Sequence, residues 1–129
     1  MKKLLLLLAF FSFQFAQAQT KDTSDNILLE AEIMPEFVGG DEAMYDYIGS
    51  NLNYPKFAKR KKMEAMVLVR FAIMQDGTTD HIEILSKTPE IFNVEVIRVI
   101  KSMPKWKPGM QDEKLVPVYY SIPVSFKLQ

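Results

Sequence analysis

The sequence predicts a two-layer α+β fold: a three-stranded antiparallel or mixed sheet in the order 2-1-3, with helices on one face. Three observations predict it. Val116, Val118, Tyr120, Ile122, Val124, Phe126 and Leu128 alternate unbroken along a last strand, Leu115 to Leu128, the period of a half-buried strand. Val67, Val69, Phe71 and Ile73 alternate in the same way and run into Asp76-Gly77, a hairpin signal because such turns need positive φ. Met44, Ile48 and Leu52, and later Phe92, Val96, Val99, Ile100 and Met103, recur at helical spacing.

The first 18 residues stand apart from that pattern. Lys2 and Lys3 precede an almost unbroken apolar run from Leu4 to Phe13, and Ala16-Gln17-Ala18 follows. These are the three parts of a secretory signal, expected to be cleaved after Ala18. The alternative is an uncleaved inner-membrane anchor. Leu4 to Ala18 is 15 residues long, whereas a span needs about 20 predominantly apolar residues. Cleavage leaves 111 of the 129 residues, one domain's worth. Losing Lys2 and Lys3 leaves 14 of the 16 basic residues against 16 acidic ones, a net of −2. That is not the basic face of a nucleic-acid binder. The chain has no cysteine, so packing alone must hold an exported fold together.

Gln19 to Asn26 is polar and reads as a leader; the leader over 19–33 is expected to be partly disordered, with the domain over 34–129. Ile27 to Phe37 is mixed and apolar, a short strand or an extended arm, and Met34-Pro35 argues against a helix there. Gly39-Gly40-Asp41-Glu42 opens the first helix, capped by Gly40 or Asp41. Pro55 starts a second, short helix through about Lys61, with Phe57 and Ala58 inward. The first strand covers Met66 to Gln75. The return strand runs from about Thr79 to Ser86, with Ile82 and Ile84 inward and His81 and Glu83 outward. Thr88-Pro89-Glu90 starts the next helix as cap, proline and first-turn acid, and Pro104 ends it. Lys105 to Gly109 is a turn-rich connector. A right-handed crossover that skips one strand sets the last strand beside the first.

Catalytic chemistry finds little support. His81 is the single histidine, has no metal-ligand spacing around it, and reads as a solvent-facing strand residue. Asp41, Glu42 and Asp46 read as charge compensation at a helix start. No nucleophile elbow, phosphate-binding loop or dinucleotide fingerprint is present. Lys59 to Lys62 is four bases in a row, read as a solvated helix end. Trp106 reads as the large residue that closes one end of a small core, with a partner contact as the alternative. No cofactor is expected, and the chain is not expected to be an enzyme.

From about Met34 to Leu128 the chain resembles the TonB C-terminal domain family, in its short Bacteroidetes-type form. The residues that carry the resemblance are Met34-Pro35-Glu36-Phe37 before Gly39-Gly40, Tyr54-Pro55, the Val67 to Ile73 strand with Asp76-Gly77, the run Ser102 to Gly109, and Ile122-Pro123-Val124-Ser125-Phe126. The resemblance implies a three-stranded antiparallel sheet with helices on one face. It also implies a periplasmic module that binds a short segment of an outer-membrane TonB-dependent receptor, by adding it as a strand, in TonB-dependent transport. Tyr54, Pro55, Trp106, Pro108 and Gly109 are the family's motif positions. The chain departs from the family at Lys62 and Ala65, where glycines are common. A full member also carries a retained membrane helix, a proline-rich spacer and an inner-membrane motor complex as a partner. Here the leader is about a dozen residues, reaching ~40 Å at most, so binding is better supported than force transmission. The alternative function is a periplasmic scaffold that binds cell-wall peptidoglycan or pairs with itself as a homodimer.

Strand parity locates the expected docking site. Even residues from Val116 to Leu128 face the core, and both prolines, Pro117 and Pro123, are odd. Proline cannot donate to a ladder and belongs on the free side of an edge strand. The odd side is therefore the expected open edge, with Tyr119 and Ser121 as its free donors. The partner-binding window is set at Val118, Tyr119, Tyr120, Ser121 and Ile122. A bulge in this strand would invert the parity.

Overall fold

Alternation at Val67, Val69, Phe71 and Ile73 becomes the central strand of the sheet in the computed structural model, which describes residues 26–129. The expected signal, residues 1–18, lies outside the described residues. β1 (Ala65–Ile73) pairs antiparallel with β2 (Thr79–Ile84) on one side. On its other side it pairs with β5 (Val118–Phe126), also antiparallel, in the order β2-β1-β5. The expected order of three strands is the observed one, and the sheet is purely antiparallel.

Helices α1 (Gly40–Asn51), α2 (Lys56–Arg60) and α3 (Glu90–Lys101) supply the second layer. Met44 and Ile48 of α1 and Phe92, Val96, Val99 and Ile100 of α3 close on the odd residues of β1 and on Ile122, Val124 and Phe126 of β5. Val67, Val69, Phe71 and Ile73 are completely buried, and Ala65 at the strand's start is partly buried. One aromatic cluster joins Tyr54, Phe92 and Phe126, with the Phe92 and Phe126 ring centroids 4.6 Å apart. The opposite sheet face is open at Met66 and Leu68, while the Arg70 guanidinium lies 4.1 Å over the Tyr119 ring and pairs with Glu83 at 2.7 Å.

The last strand differs from its expected form. It is two strands, β4 (Lys114–Val116) and β5, separated by Pro117. β4 folds back on β3 (Gly109–Gln111) as a small hairpin. Asp112 and Glu113 make its turn with φ of 50° and 63°, a double left-handed turn that usually advertises itself with Asn or Gly. Leu115 in β4 is half exposed. Gly109, expected in a connector, starts β3, where a Cβ would come within 2.8 Å of Val118 Cγ2.

Three smaller expectations are also revised. Gly39, with φ 95°, holds the N-cap position of α1, not Gly40 or Asp41. Pro89, not Thr88, occupies that position for α3, and the Thr88 hydroxyl instead donates to Asn93. Phe57 is 49% exposed, because a five-residue helix turns only Ala58 into the core. Arg60 and Lys61 each sit 5.9 Å over its ring. In β2, His81 and Ile82 together oppose Phe71, a bulge with His81 at φ 48°.

The departure at Lys62 has a measurable consequence. After α2 the Met63 N–H donates to the Ala58 carbonyl and the Lys62 N–H to the Lys59 carbonyl, the paired bonds of a Schellman cap. Lys62 occupies its left-handed position at φ 57°. A lysine there carries Cβ strain that glycine lacks, although glycine also loosens the unfolded chain. Lys62→Gly should therefore stabilise the domain by about 0.5–1 kcal/mol, read as a higher urea midpoint at unchanged slope. Ala65 has no positive φ and begins β1 normally.

Candidate functional site

Register assigns the two sides of β5. Leu68 uses its backbone toward β2: its carbonyl accepts from the Leu85 N–H at 2.8 Å, and its N–H donates to Ser86 Oγ. Even residues of β1 thus bond to β2, and odd ones to β5. The β1–β5 register is unbroken over nine pairs, Ala65↔Phe126 to Ile73↔Val118. Odd β1 residues therefore face even β5 residues. The odd residues Tyr119, Ser121, Pro123 and Ser125 turn their backbone groups outward. The bulge falls in β2, so the parity of β5 holds.

Part of that edge is already occupied. Leu28, in the arm that precedes α1, donates its N–H to the Pro117 carbonyl at 3.0 Å and accepts from the Tyr119 N–H at 2.9 Å. This is a parallel bridge to Val118. The arm then runs antiparallel along the hairpin through Ile33↔Met110 and Glu36↔Lys107. The expected domain boundary at Met34 falls inside this arm. Tyr119 is thus not a free donor, contrary to the sequence reading, because the chain's own Leu28 carbonyl takes its proton. Ser121 and Ser125 are the outward donors left, both exposed.

The five window residues share one strand but not one role. Val118 and Ile122 are buried core residues. Tyr120 is half-buried, and its hydroxyl donates to Asp41 Oδ1 at 3.0 Å. Burial first, and then that bond, push its pKa up to about 12. Tyr119 stacks under Arg70 on the open face. Only Ser121 offers a free outward backbone. Ser125 lies beyond the expected window, which stops short of Pro123, although a proline removes one donor and leaves the next odd residue free.

The motif residues serve the fold. The Tyr54 hydroxyl donates to the Met63 carbonyl, and Pro55 is the N-cap residue of α2. Trp106 is 3% exposed, with ring centroids 5.4, 5.7 and 5.0 Å from Phe37, Phe71 and Tyr120. The Trp106 backbone N–H donates to the Gly77 carbonyl at 2.8 Å. Pro108 is half-buried and Gly109 buried. Among the described residues, no cluster of three metal-ligating side chains is present. No described helix is long and apolar enough to cross a membrane.

Comparison with known proteins matches residues 50–128 to the family described as the Gram-negative bacterial TonB protein C-terminal. The chain belongs to the TonB C-terminal family. Two Helicobacter pylori relatives, each Protein TonB, align over 114 residues: strain ATCC 700392 / 26695 at 29% identity and strain J99 / ATCC 700824 at 31%. The alignments take in 86% of this chain but 39% of the relatives, so the chain spans about two fifths of their length. An NMR structure of the H. pylori TonB-CTD superposes with a TM-score of 0.53 at 30% identity, covering 67% of this chain and 78% of that one. A shorter form of the same domain gives 0.51 at 28% identity, covering 67% and 90%. The α+β layers of this TonB C-terminal domain are thus those of the family's solved structures. From Ser121 to Ser125 the outward backbone of β5 pairs with no other strand among the described residues.

Proposed function

We propose that this TonB C-terminal domain is a periplasmic protein-binding module that takes an extended segment of an outer-membrane receptor as an added strand on β5. The observation that carries the reading is the unpaired ladder from Ser121 to Ser125, beside a stretch where Leu28 already forms such a bridge. Strand addition uses main-chain bonds for affinity and side-chain pockets for choice of partner. The export expected from residues 1–18 would deliver the module to the periplasm, where such receptor segments are reachable.

Magnitudes decide how much the edge does alone. Two donors and about three carbonyls give roughly five bonds at about 0.5–1.5 kcal/mol each, net. Association costs about 4–15 kcal/mol in lost freedom. Backbone pairing barely offsets that cost, so a specific partner must also bury side chains. The expected result is binding of synthetic receptor segments in the micromolar range, with the largest amide shifts at Ser121 and Ser125. Titration followed by NMR checks it. Recovery of peptidoglycan or a second copy alone, with no receptor segment bound, would overturn the reading in favour of a scaffold.

A further inference from the structure

α1 and β5 run side by side. Asp41, in the first turn of α1, meets the Tyr120 hydroxyl. Further along, Tyr45, Gly49 and Leu52 face Pro123, Val124 and Ser125 across a groove of about 440 Å³. The groove therefore opens along the same stretch of edge on which the proposed strand lies. Its walls are mainly apolar: Leu52 and Pro123, with Ile48 beneath and the 45%-exposed Tyr45 at the rim.

Gly49 is the unusual wall. Its φ is not among the positive ones, so the backbone does not require glycine. A Cβ built there meets nothing within 4 Å, so packing does not require glycine either. A helix is less stable with glycine than with alanine. What the missing side chain leaves behind is open volume in the groove.

We infer that this groove is the side-chain pocket of the docking edge, that it takes one apolar side chain of the receptor segment, and that Gly49 keeps it open. The inference rests on strand addition at β5. Residues level with each other on paired strands point to the same face in either strand direction. Val124 points to the helix layer, where it is buried. The partner residue level with Val124 must point the same way, into the space flanked by Gly49 and Leu52. The arm shows that extended backbone seats on this edge: Leu28 bridges Val118 in parallel, a position three alternations upstream of Val124. A chain continuing that register would reach the groove with a side chain on the helix side. The apolar walls favour an aliphatic residue over a charged one, since a charge placed there would lose water without a partner.

The test uses the full exported protein and a receptor-segment peptide, with each peptide residue replaced in turn by alanine. Gly49→Ala should raise the melting temperature. Gly49→Leu should fold at least as stably as wild type, yet bind the peptide at least tenfold more weakly. In wild type, alanine at one apolar peptide position should cost about the same factor, and in Gly49→Leu that replacement should cost nothing. Equal peptide affinity for Gly49→Leu and wild type overturns the pocket while leaving strand addition standing, provided Ser121→Pro still abolishes binding. If Ser121→Pro binds as wild type does, the edge itself is wrong and the pocket falls with it.

Discussion

Trp106→Ala should lower the unfolding free energy by about 3–5 kcal/mol, the range of large aromatic truncations in a core. The indole is 3% exposed and is wedged among Phe37, Phe71 and Tyr120, so three elements lose a packing partner together: the arm, β1 and β5. Domains of this size have about 5–15 kcal/mol in total, and each kcal/mol moves the melting point by about 4–8 °C. A drop of more than about 12 °C is therefore expected. Trp106→Phe should cost much less. Its ring fills part of the same site, and the lost Nε1–H has no hydrogen-bond partner among the described residues. Urea unfolding of both variants checks the pair. Unchanged stability in Trp106→Ala would show that the Phe37, Phe71 and Tyr120 contacts contribute little, and would return the indole to a partner-binding role.

The scaffold was legible where a period of two or 3.6 persists long enough to be counted. β1, the even residues of β5 and the apolar stripe of α3 are all of this kind, and Asp76-Gly77 joined β1 to β2 by turn chemistry alone. The split of the last strand was not legible. Alternation keeps its phase through Val116 and Val118, and Asp112-Glu113 adopts left-handed φ without glycine or asparagine. Phe57 failed for the opposite reason, because five residues are too few to define a helix face. On β5, strand parity and Pro123 point to the side that faces away from β1, and that side is the sheet's open edge. The occupied half of that edge was hidden, because the Leu28 bridge joins residues some 90 positions apart and no local pattern encodes it. The groove was hidden too, since Gly49 and Ser125 meet only after folding. Gly49, within a helix and without a turn to explain it, was the one local sign.

Two neighbouring proline substitutions should separate fold from binding on β5. Ile122 faces Val69 across the ladder, its N–H points at β1 by the parity above, and its side chain is 3% exposed. Ile122→Pro removes a bond from the middle of the sheet and truncates a core side chain, so loss of about 4 kcal/mol or more is expected, enough to unfold a marginal domain. Ser121 is exposed and turns its N–H outward, on the side of β5 where Pro123 already has a ring nitrogen that cannot donate. Its preceding residue, Tyr120, already has the extended backbone that proline demands of its neighbour. Ser121→Pro should therefore cost less than about 1 kcal/mol and leave the circular-dichroism spectrum unchanged. It also deletes the first free donor of the docking edge and places a ring where the incoming backbone must lie. Binding of the receptor segment should then fall below detection while the melting point stays within a few degrees of wild type. The contrast is sharp because the two residues are adjacent and differ mainly in the side of the strand their N–H faces. Unfolding of Ser121→Pro would mean that odd residues bond inward and the edge has been assigned to the wrong side, whereas undiminished binding by a folded Ser121→Pro would move the docking strand off β5 altogether.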